Sequence, residues 1–241
     1  MNLWREAILQ FVYPQSPACP LCGNHCCDAS IPVCRLCHLD LIGSGKGSDA
    51  ILSLGVSSWH DQNSPAGSDR SHRVRIRSVG FFSGKMKSFL RLLRSNPDQE
   101  LLSYGVGLLT TKAGVWLAEI DAVVPLAEED ENRSHRSVFE LAEGFSKKSS
   151  VPVIPMIEWN ERNGDQEKGE EWSDNFDRND SCRGKRVLLI SDFFASSTKI
   201  EPTLQRLFRL GVSRVDVLAL CVCLDRSVFS GRNQRSWTKR E

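Results

Sequence analysis

The sequence predicts an α/β protein: a parallel sheet flanked by helices, preceded by a small four-cysteine zinc ribbon. Three observations predict it. Val187-Leu188-Leu189-Ile190 is a short, unbroken apolar run, followed by a polar turn and then by Leu204, Leu207, Phe208 and Leu210 at helical spacing up to Gly211. Val215 to Leu220 follows as a second apolar run. A strand, polar turn, helix and strand in that order form a unit whose strands are buried on both faces. Cys19, Cys22, Cys34 and Cys37 make two CxxC pairs near the N-terminus, and two such pairs complete a tetrahedral four-thiolate zinc site.

Length and composition bound the rest. The 241 residues suffice for one medium domain and a small module. Hydrophobic content of 40% and charged content of 25% are ordinary for a globular protein. A formal net charge of +1 gives no argument for broad adhesion to nucleic acid or membrane. No apolar stretch approaches the length of a membrane span. Met1 to Tyr13 carries Glu6 and lacks a long apolar run, so it reads poorly as a signal peptide. A cytoplasmic address is the expectation. The predicted organisation is an N-terminal helix and zinc ribbon over 1–42, a linker over 43–72, the α/β domain over 73–225 and a polar tail over 226–241.

In chain order, six of the nine cysteines lie between Cys19 and Cys37. Gly23 suits the sharp turn after the first pair. The competing reading, a pair of disulfides, needs a secretory context that the N-terminus does not suggest. His25, Cys26 and Cys27 lie between the pairs as alternative ligands, and His38 reads as a spectator. Gly, Ser, Asp and Asn dominate 43–72, with Ile51, Leu52, Leu54 and Val56 as an apolar island that reads as one strand. Trp59 and His60 are candidates to pack on the ribbon, with no function assigned.

Arg73-Val-Arg-Ile-Arg77 alternates charged and apolar side chains, as an edge strand with a solvated arginine face would. Lys85 to Arg94 is amphipathic, with Met86, Phe89, Leu90 and Leu93 inward, Lys85, Lys87, Arg91 and Arg94 outward, and Pro97 beyond its end. Leu101 to Trp116 reads as a helix interrupted by glycines, and Asp121 to Leu126 as a strand ending at Pro125. The four acids at 128–131 would repel a diphosphate; such a run is ordinarily solvated, although it could hold Mg²⁺. Arg133 and Arg136 are candidate phosphate contacts. Val138, Leu141, Ala142 and Phe145 recur at helical spacing, and Val151 to Pro155 reads as a short strand. The polar stretch 160–180, with Trp159, Trp172 and Phe176 in or beside it, reads as a surface loop or flap. The basic tail, with Arg226, Arg232, Arg235, Lys239 and Arg240, reads as solvated rather than as a nucleic-acid contact.

The segment Val187 to Ile200 resembles the phosphoribosyl-diphosphate loop of type I phosphoribosyltransferases. In that family a hydrophobic strand runs into two acidic residues and a Thr-Thr-Gly-x-Thr turn. Asp192 stands at the second acidic position and Ser191 at the first. Ala195, Ser196 and Ser197 stand where Thr, Thr and Gly would be, and Lys199 replaces the last Thr. The chain is most similar to the ComF branch, competence-associated proteins with an N-terminal zinc ribbon. Phe11-Val-Tyr-Pro14 leading to Cys19-Pro-Leu-Cys22-Gly, the Phe-Ser-Gly84 turn before the helix ending in Leu93-Arg94, Val123-Val-Pro125, and Arg133 carry that likeness in order. Gln166 and Asn175-Phe176 are faint echoes of it.

The resemblance implies a type I phosphoribosyltransferase-like sheet. It implies that Asp192 accepts ribose hydroxyls, that Ala195, Ser196, Ser197, Thr198, Lys199 and Arg133 hold phosphate, and that Mg²⁺ neutralises the leaving pyrophosphate. Zn²⁺ would be structural. Ligands would be phosphoribosyl diphosphate or a nucleotide, and partners would be DNA-uptake proteins or single-stranded DNA. A serine at 191 removes a strong acceptor, worth about 1.5–3 kcal/mol for a hydrogen bond to a charged group. Together with the loss of glycine at Ser197, this predicts weak or absent catalysis. The alternatives are a non-catalytic zinc-ribbon scaffold and an active transferase releasing pyrophosphate.

Overall fold

The computed structural model describes residues 18–24, 31–43, 50–54, 72–95, 98–126, 134–154, 182–195 and 197–223. The elements in chain order are α1 (Arg35–Gly43), β1 (Ala50–Leu54), β2 (His72–Phe81), α2 (Gly84–Ser95), α3 (Gln99–Ala113), a 3₁₀ segment (Gly114–Glu119), β3 (Ala122–Pro125), α4 (Ser134–Ser149), β4 (Arg186–Phe194), α5 (Ser197–Arg209) and β5 (Arg214–Val222). The sheet order is β1-β2-β5-β4-β3. β1 runs antiparallel to β2, and β2, β5, β4 and β3 run parallel. This is the expected α/β class: a parallel sheet flanked by helices, with four cysteines gathered ahead of it.

The core has two halves, one on each face of the sheet. Leu188 and Ile190 of β4 and Leu218 and Leu220 of β5 pack with Met86, Phe89, Leu90 and Leu93 of α2, Leu109 of α3, and Leu141 and Phe145 of α4. Val187, Leu189, Val215 and Val217 point the other way and pack under Ile200, Leu204 and Leu207 of α5. Strand alternation puts successive residues on opposite faces, so runs apolar at every position need cover on both. The cysteine module is continuous with the first half: Cys19, Leu21, Val33, Cys34, Cys37 and Leu41 belong to the same cluster as α2 and α3. Lys85 Nζ donates to the Leu21 carbonyl at 3.2 Å, tying α2 to the module.

The topology fixes where a ligand would enter. From β3 the chain turns outward, and Val153 forms a parallel bridge to Val123 on the side away from β4. From β4 it turns the opposite way, to β5. Neighbouring strands whose connections diverge leave a crevice at their carboxyl ends, the usual binding position in open α/β sheets. The corresponding position here is the carboxyl ends of β3, at Pro125, and of β4, at Phe194.

Several expectations change in detail. β2 is not an edge strand; β1 covers it on one side and β5 on the other. Arg75 and Arg77 do not present a simple solvated face. Arg75 and Arg77 both lie over the Trp116 ring, at 4.3 and 4.2 Å. Arg75 also pairs with Asp216 at 2.7 Å and with Glu119 at 2.9 Å. Asp216 is buried in the middle of β5, and a buried carboxylate needs such partners. α3 runs unbroken through Gly105 and Gly107. A Cβ at Gly105 would meet Leu141 Cδ2 at 3.2 Å, so its bare backbone lets α4 come close. Of the expected strand at Val151–Pro155, the described residues 151–154 form a single bridge at Val153.

Candidate functional site

The cysteine cluster is built by two different local structures. Cys19 to Asn24 closes a tight turn in which the Gly23 N–H donates to the Cys19 carbonyl at 2.8 Å and the Cys19 N–H to the Asn24 carbonyl at 2.6 Å. Gly23 adopts φ +74°, the left-handed conformation that glycine takes without cost. The second pair is not a matching turn. Cys34 immediately precedes α1 and Cys37 lies in its first turn. The four cysteines bring their sulfurs within 4.8 Å of one another, with Cys22 and Cys34 Sγ 3.6 Å apart.

Four sulfurs on a tetrahedral zinc at Zn–S of 2.3 Å stand about 3.8 Å apart, so the residues fit the metal. Burial opposes ionisation of Cys19, but backbone N–H groups of Cys34, Leu21 and Cys22 outweigh it and hold the thiol at about 6. The Cys34 N–H lies 3.3 Å from its sulfur. Burial pushes the Cys37 thiol up, and the neighbouring thiols add to the shift. His38, expected to be a spectator, shares a 2.7 Å hydrogen bond between its Nδ1 and the Tyr104 hydroxyl of α3. Burial, followed by the charge of Cys37 and Cys19, raises Tyr104 above its ordinary value. His25, Cys26 and Cys27 lie outside the described residues.

The second site is the carboxyl end of β4. The strand continues beyond its apolar run through Ser191, Asp192, Phe193 and Phe194, so the polar pair is strand rather than turn. Ser191 and Asp192 are buried, Asp192 to 1% exposure. The Ser191 Oγ donates to the Phe193 carbonyl at 2.7 Å, so the residue at the first acidic position closes on its own strand. Asp192 faces the last turn of α2. There Arg94 Nε donates to Oδ2 at 2.7 Å and Nη2 to Oδ1 at 2.9 Å, a bidentate pair. Arg94 is 28% exposed and its guanidinium lies 5.9 Å from the Phe193 ring. Arg94 was expected on an outward, solvated helix face; burial of Asp192 draws it in, because an ionised carboxylate without a partner there would be costly.

Ala195 follows β4 half-buried, and the backbone of Ser197, Thr198 and Lys199 opens α5. Their amides lie at the N-terminus of a 13-residue helix, where an anion is favoured. Ser196, Arg133, the acids at 128–131, Trp59, His60, Pro97, 160–180 and the tail 226–241 lie outside the described residues. Arg136 is on the exposed side of α4 and bonds Glu140 at 2.7 Å rather than the β4 turn. Among the described residues the four cysteines are the only group of three or more potential metal ligands, and both Asp192 oxygens already receive N–H bonds from Arg94.

The residue that sequence reasoning missed is Arg94 as the partner of Asp192. A charged residue directly after an apolar strand run required a counter-charge, but 98 positions separate the two, and periodicity carries no information at that range.

No protein-family model matches this chain. No curated protein matches it either. Solved structures similar to it include a hypoxanthine-guanine-xanthine phosphoribosyltransferase, at 13% identity over 57% of this chain and 68% of that chain, with a TM-score of 0.33. An HGPRT-ase from Leishmania tarentolae in complex with GMP matches at 12% identity over 54% of this chain and 70% of that chain, with a TM-score of 0.35. The UMP synthase of Leishmania donovani matches at 13% identity over 78% of this chain but 36% of its own length, with a TM-score of 0.35. No helix among the described residues is long and apolar enough to cross a membrane.

Proposed function

We propose that this chain is a ComF-like protein that binds phosphoribosyl diphosphate or a nucleotide at the carboxyl end of β4, catalyses transfer weakly or not at all, and serves DNA uptake or processing with protein partners in the cytoplasm. One observation carries the binding reading: a buried carboxylate at the end of β4, beside diverging strand connections, leads directly into the N-terminus of α5. The ordered likeness in sequence supports the ComF assignment, and the cysteine cluster supports a structural Zn²⁺. Weak catalysis follows from the acids. Ser191 bonds its own strand and is no acid, and Asp192 shares both oxygens with Arg94, which leaves a single weakened acceptor for ribose hydroxyls.

Calorimetric titration with phosphoribosyl diphosphate and Mg²⁺ tests the reading. Saturable heat is expected for the wild type, with affinity reduced at least about tenfold in Asp192→Ala, a loss of about 1.4 kcal/mol. That variant should fold, because Arg94 is 28% exposed and can turn to water. No heat with folded protein would remove the reading. Pyrophosphate release on addition of nucleobases would show an active transferase instead.

A second reading, a non-catalytic zinc-ribbon scaffold for protein or single-stranded DNA, is favoured by one feature. Leu36, Leu39 and Ile42 recur along α1 with exposures of 69%, 48% and 43%. An apolar stripe on a small module is a common docking feature. Tight binding of single-stranded DNA or a protein, without nucleotide binding, would favour this second reading.

A further inference from the structure

We infer that the exposed apolar stripe of α1 is a docking face for residues 3–12 of the same chain, which pack on it as an amphipathic helix. Leu36, Leu39 and Ile42 are exposed, while Cys37 and Leu41, on the opposite side of α1, are buried in the core. α1 therefore carries apolar side chains on two sides, and the core covers one of them. Leu39, Asp40 and Gly43 also line an open groove of about 520 Å³ with Ser83, Gly84 and Lys85 at the start of α2. The stripe thus borders a concavity, and an apolar face beside a concavity is a contact surface. A stripe covered by its own chain is closed to outside partners, so this contact bears on the scaffold reading and not on ligand binding at β4.

Pattern, reach and length select the occupant. Leu3, Trp4, Ala7, Ile8, Phe11 and Val12 recur at the i, i+4 and i+8 steps of a helix, with Arg5, Glu6 and Gln10 on the other side. Of the apolar residues from 3 to 12 only Leu9 falls outside that face. Pro14 and Pro17 would stop such a helix. The chain enters the module at Cys19, next to the start of α1: the Cys34 N–H lies 3.3 Å from the Cys19 sulfur, and the Cys19 and Cys37 sulfurs are within 4.8 Å of each other. Residues 13–18 span at most about 20 Å, enough to turn the segment back along α1. As a helix, residues 3–12 would be about 15 Å long, against about 14 Å for the nine residues of α1. The groove beside Leu39 accommodates an aromatic side chain, and Trp4 and Phe11 supply two. A tether this short gives an effective concentration on the order of millimolar, which favours the chain's own segment over a second copy in micromolar solution.

The test places the photo-cross-linker p-benzoylphenylalanine at Leu39 of the full chain and locates the attached residue by mass spectrometry. A cross-link within one chain to residues 3–12 is expected. A cross-link to a second copy or to another segment, or none after complete photolysis, would overturn the inference. Trp4→Ala/Phe11→Ala in the same protein should abolish the cross-link; an undiminished yield would count equally against it. Amide hydrogen exchange gives a readout without the probe. Leu36→Glu/Leu39→Glu should raise exchange at residues 3–12 by about tenfold or more. Metal content should not change, because both side chains lie on the side of α1 away from Cys37. Exchange that stays as in the wild type would mean that residues 3–12 do not rest on the stripe.

Discussion

The cysteine module and the end of β4 were both announced by short local motifs, and they turn out differently. At the cysteines the motif and the geometry agree: four sulfurs lie within 4.8 Å of one another, close enough to share one metal ion such as zinc. At β4 the strand and the helix after it form, and the carboxylate at the end of the strand is paired with Arg94. The difference lies in what each motif must specify. A zinc site needs only four like donors brought together. A sugar-phosphate site needs particular groups left unoccupied, and occupation is decided by residues far away in the chain. The apolar faces of β4 and α5 hold the strand–helix unit together, whatever groups stand at its polar end.

The sharpest way to break the comparison is at the cysteines. Cys34→Ser should lose stoichiometric metal by elemental analysis and unfold at much lower temperature. A structural zinc contributes about 10–16 kcal/mol in isolated finger peptides. Here the module shares its core with α2 and α3, so some folding energy remains, and a loss of roughly 4 kcal/mol or more is expected. Full metal content in the variant would mean that the four-cysteine assignment is wrong.

The next effect in size belongs to Arg94. Arg94→Ala strands Asp192 at 1% exposure. Breaking a buried pair costs about 3–5 kcal/mol, and the exposure of Arg94 places this case near the lower end. Chemical denaturation should show that loss, with most of it recovered in Arg94→Ala/Asp192→Asn. Equal destabilisation in the single and double variants would mean that the charge of Asp192 is not what Arg94 offsets.

What could be read from the chain follows the same division. Helix α2, with its Met86, Phe89, Leu90 and Leu93 stripe, and strands β4 and β5 were legible because period and run length are local signals. The first CxxC turn was legible with its Gly23. The helical setting of the second pair was not legible, since CxxC spacing does not distinguish a turn from a first helical turn. Arginines 75 and 77 read as solvated because alternation reports which face a side chain takes, not what stands opposite. Trp116 and Asp216 stand opposite, supplied by the end of the α3 region and by β5. β2 read as an edge for the same reason: strand order is a property of the whole sheet.

Gly144→Ala separates the two regions from their common support. A Cβ at Gly144 would meet Val106 Cγ2 at 2.7 Å. Crowding of this kind costs about 1–3 kcal/mol. Since Gly144 belongs to α4 and Val106 to α3, the thermal midpoint should fall while metal content and ligand affinity stay as they were. A loss of metal in this variant would show that the cysteine module depends on the α3–α4 contact.

The smallest effect contrasts Asp192 with a second aspartate–arginine pair on the same strand. Asp121 pairs with Arg186 at 2.8 Å at the amino end of β4, where both side chains are more than a third exposed. Hydrogen bonds from the Arg186 guanidinium and then its backbone N–H lower Asp121 from 3.8 to about 2. A depressed folded-state value means the pair stabilises the fold above the ordinary carboxylate range and loses that contribution as pH falls from about 3.8 through about 2. Water screens the pair, so the shift in urea midpoint should be modest. Acid would also release any metal held by the cysteines, so the informative quantity is the wild type minus Asp121→Asn. That difference should be constant above about pH 4 and vanish near pH 2, because release of metal is common to both proteins. A difference that persists at pH 2 would mean that Asp121 acts through its shape in the β3–β4 junction and not through its charge.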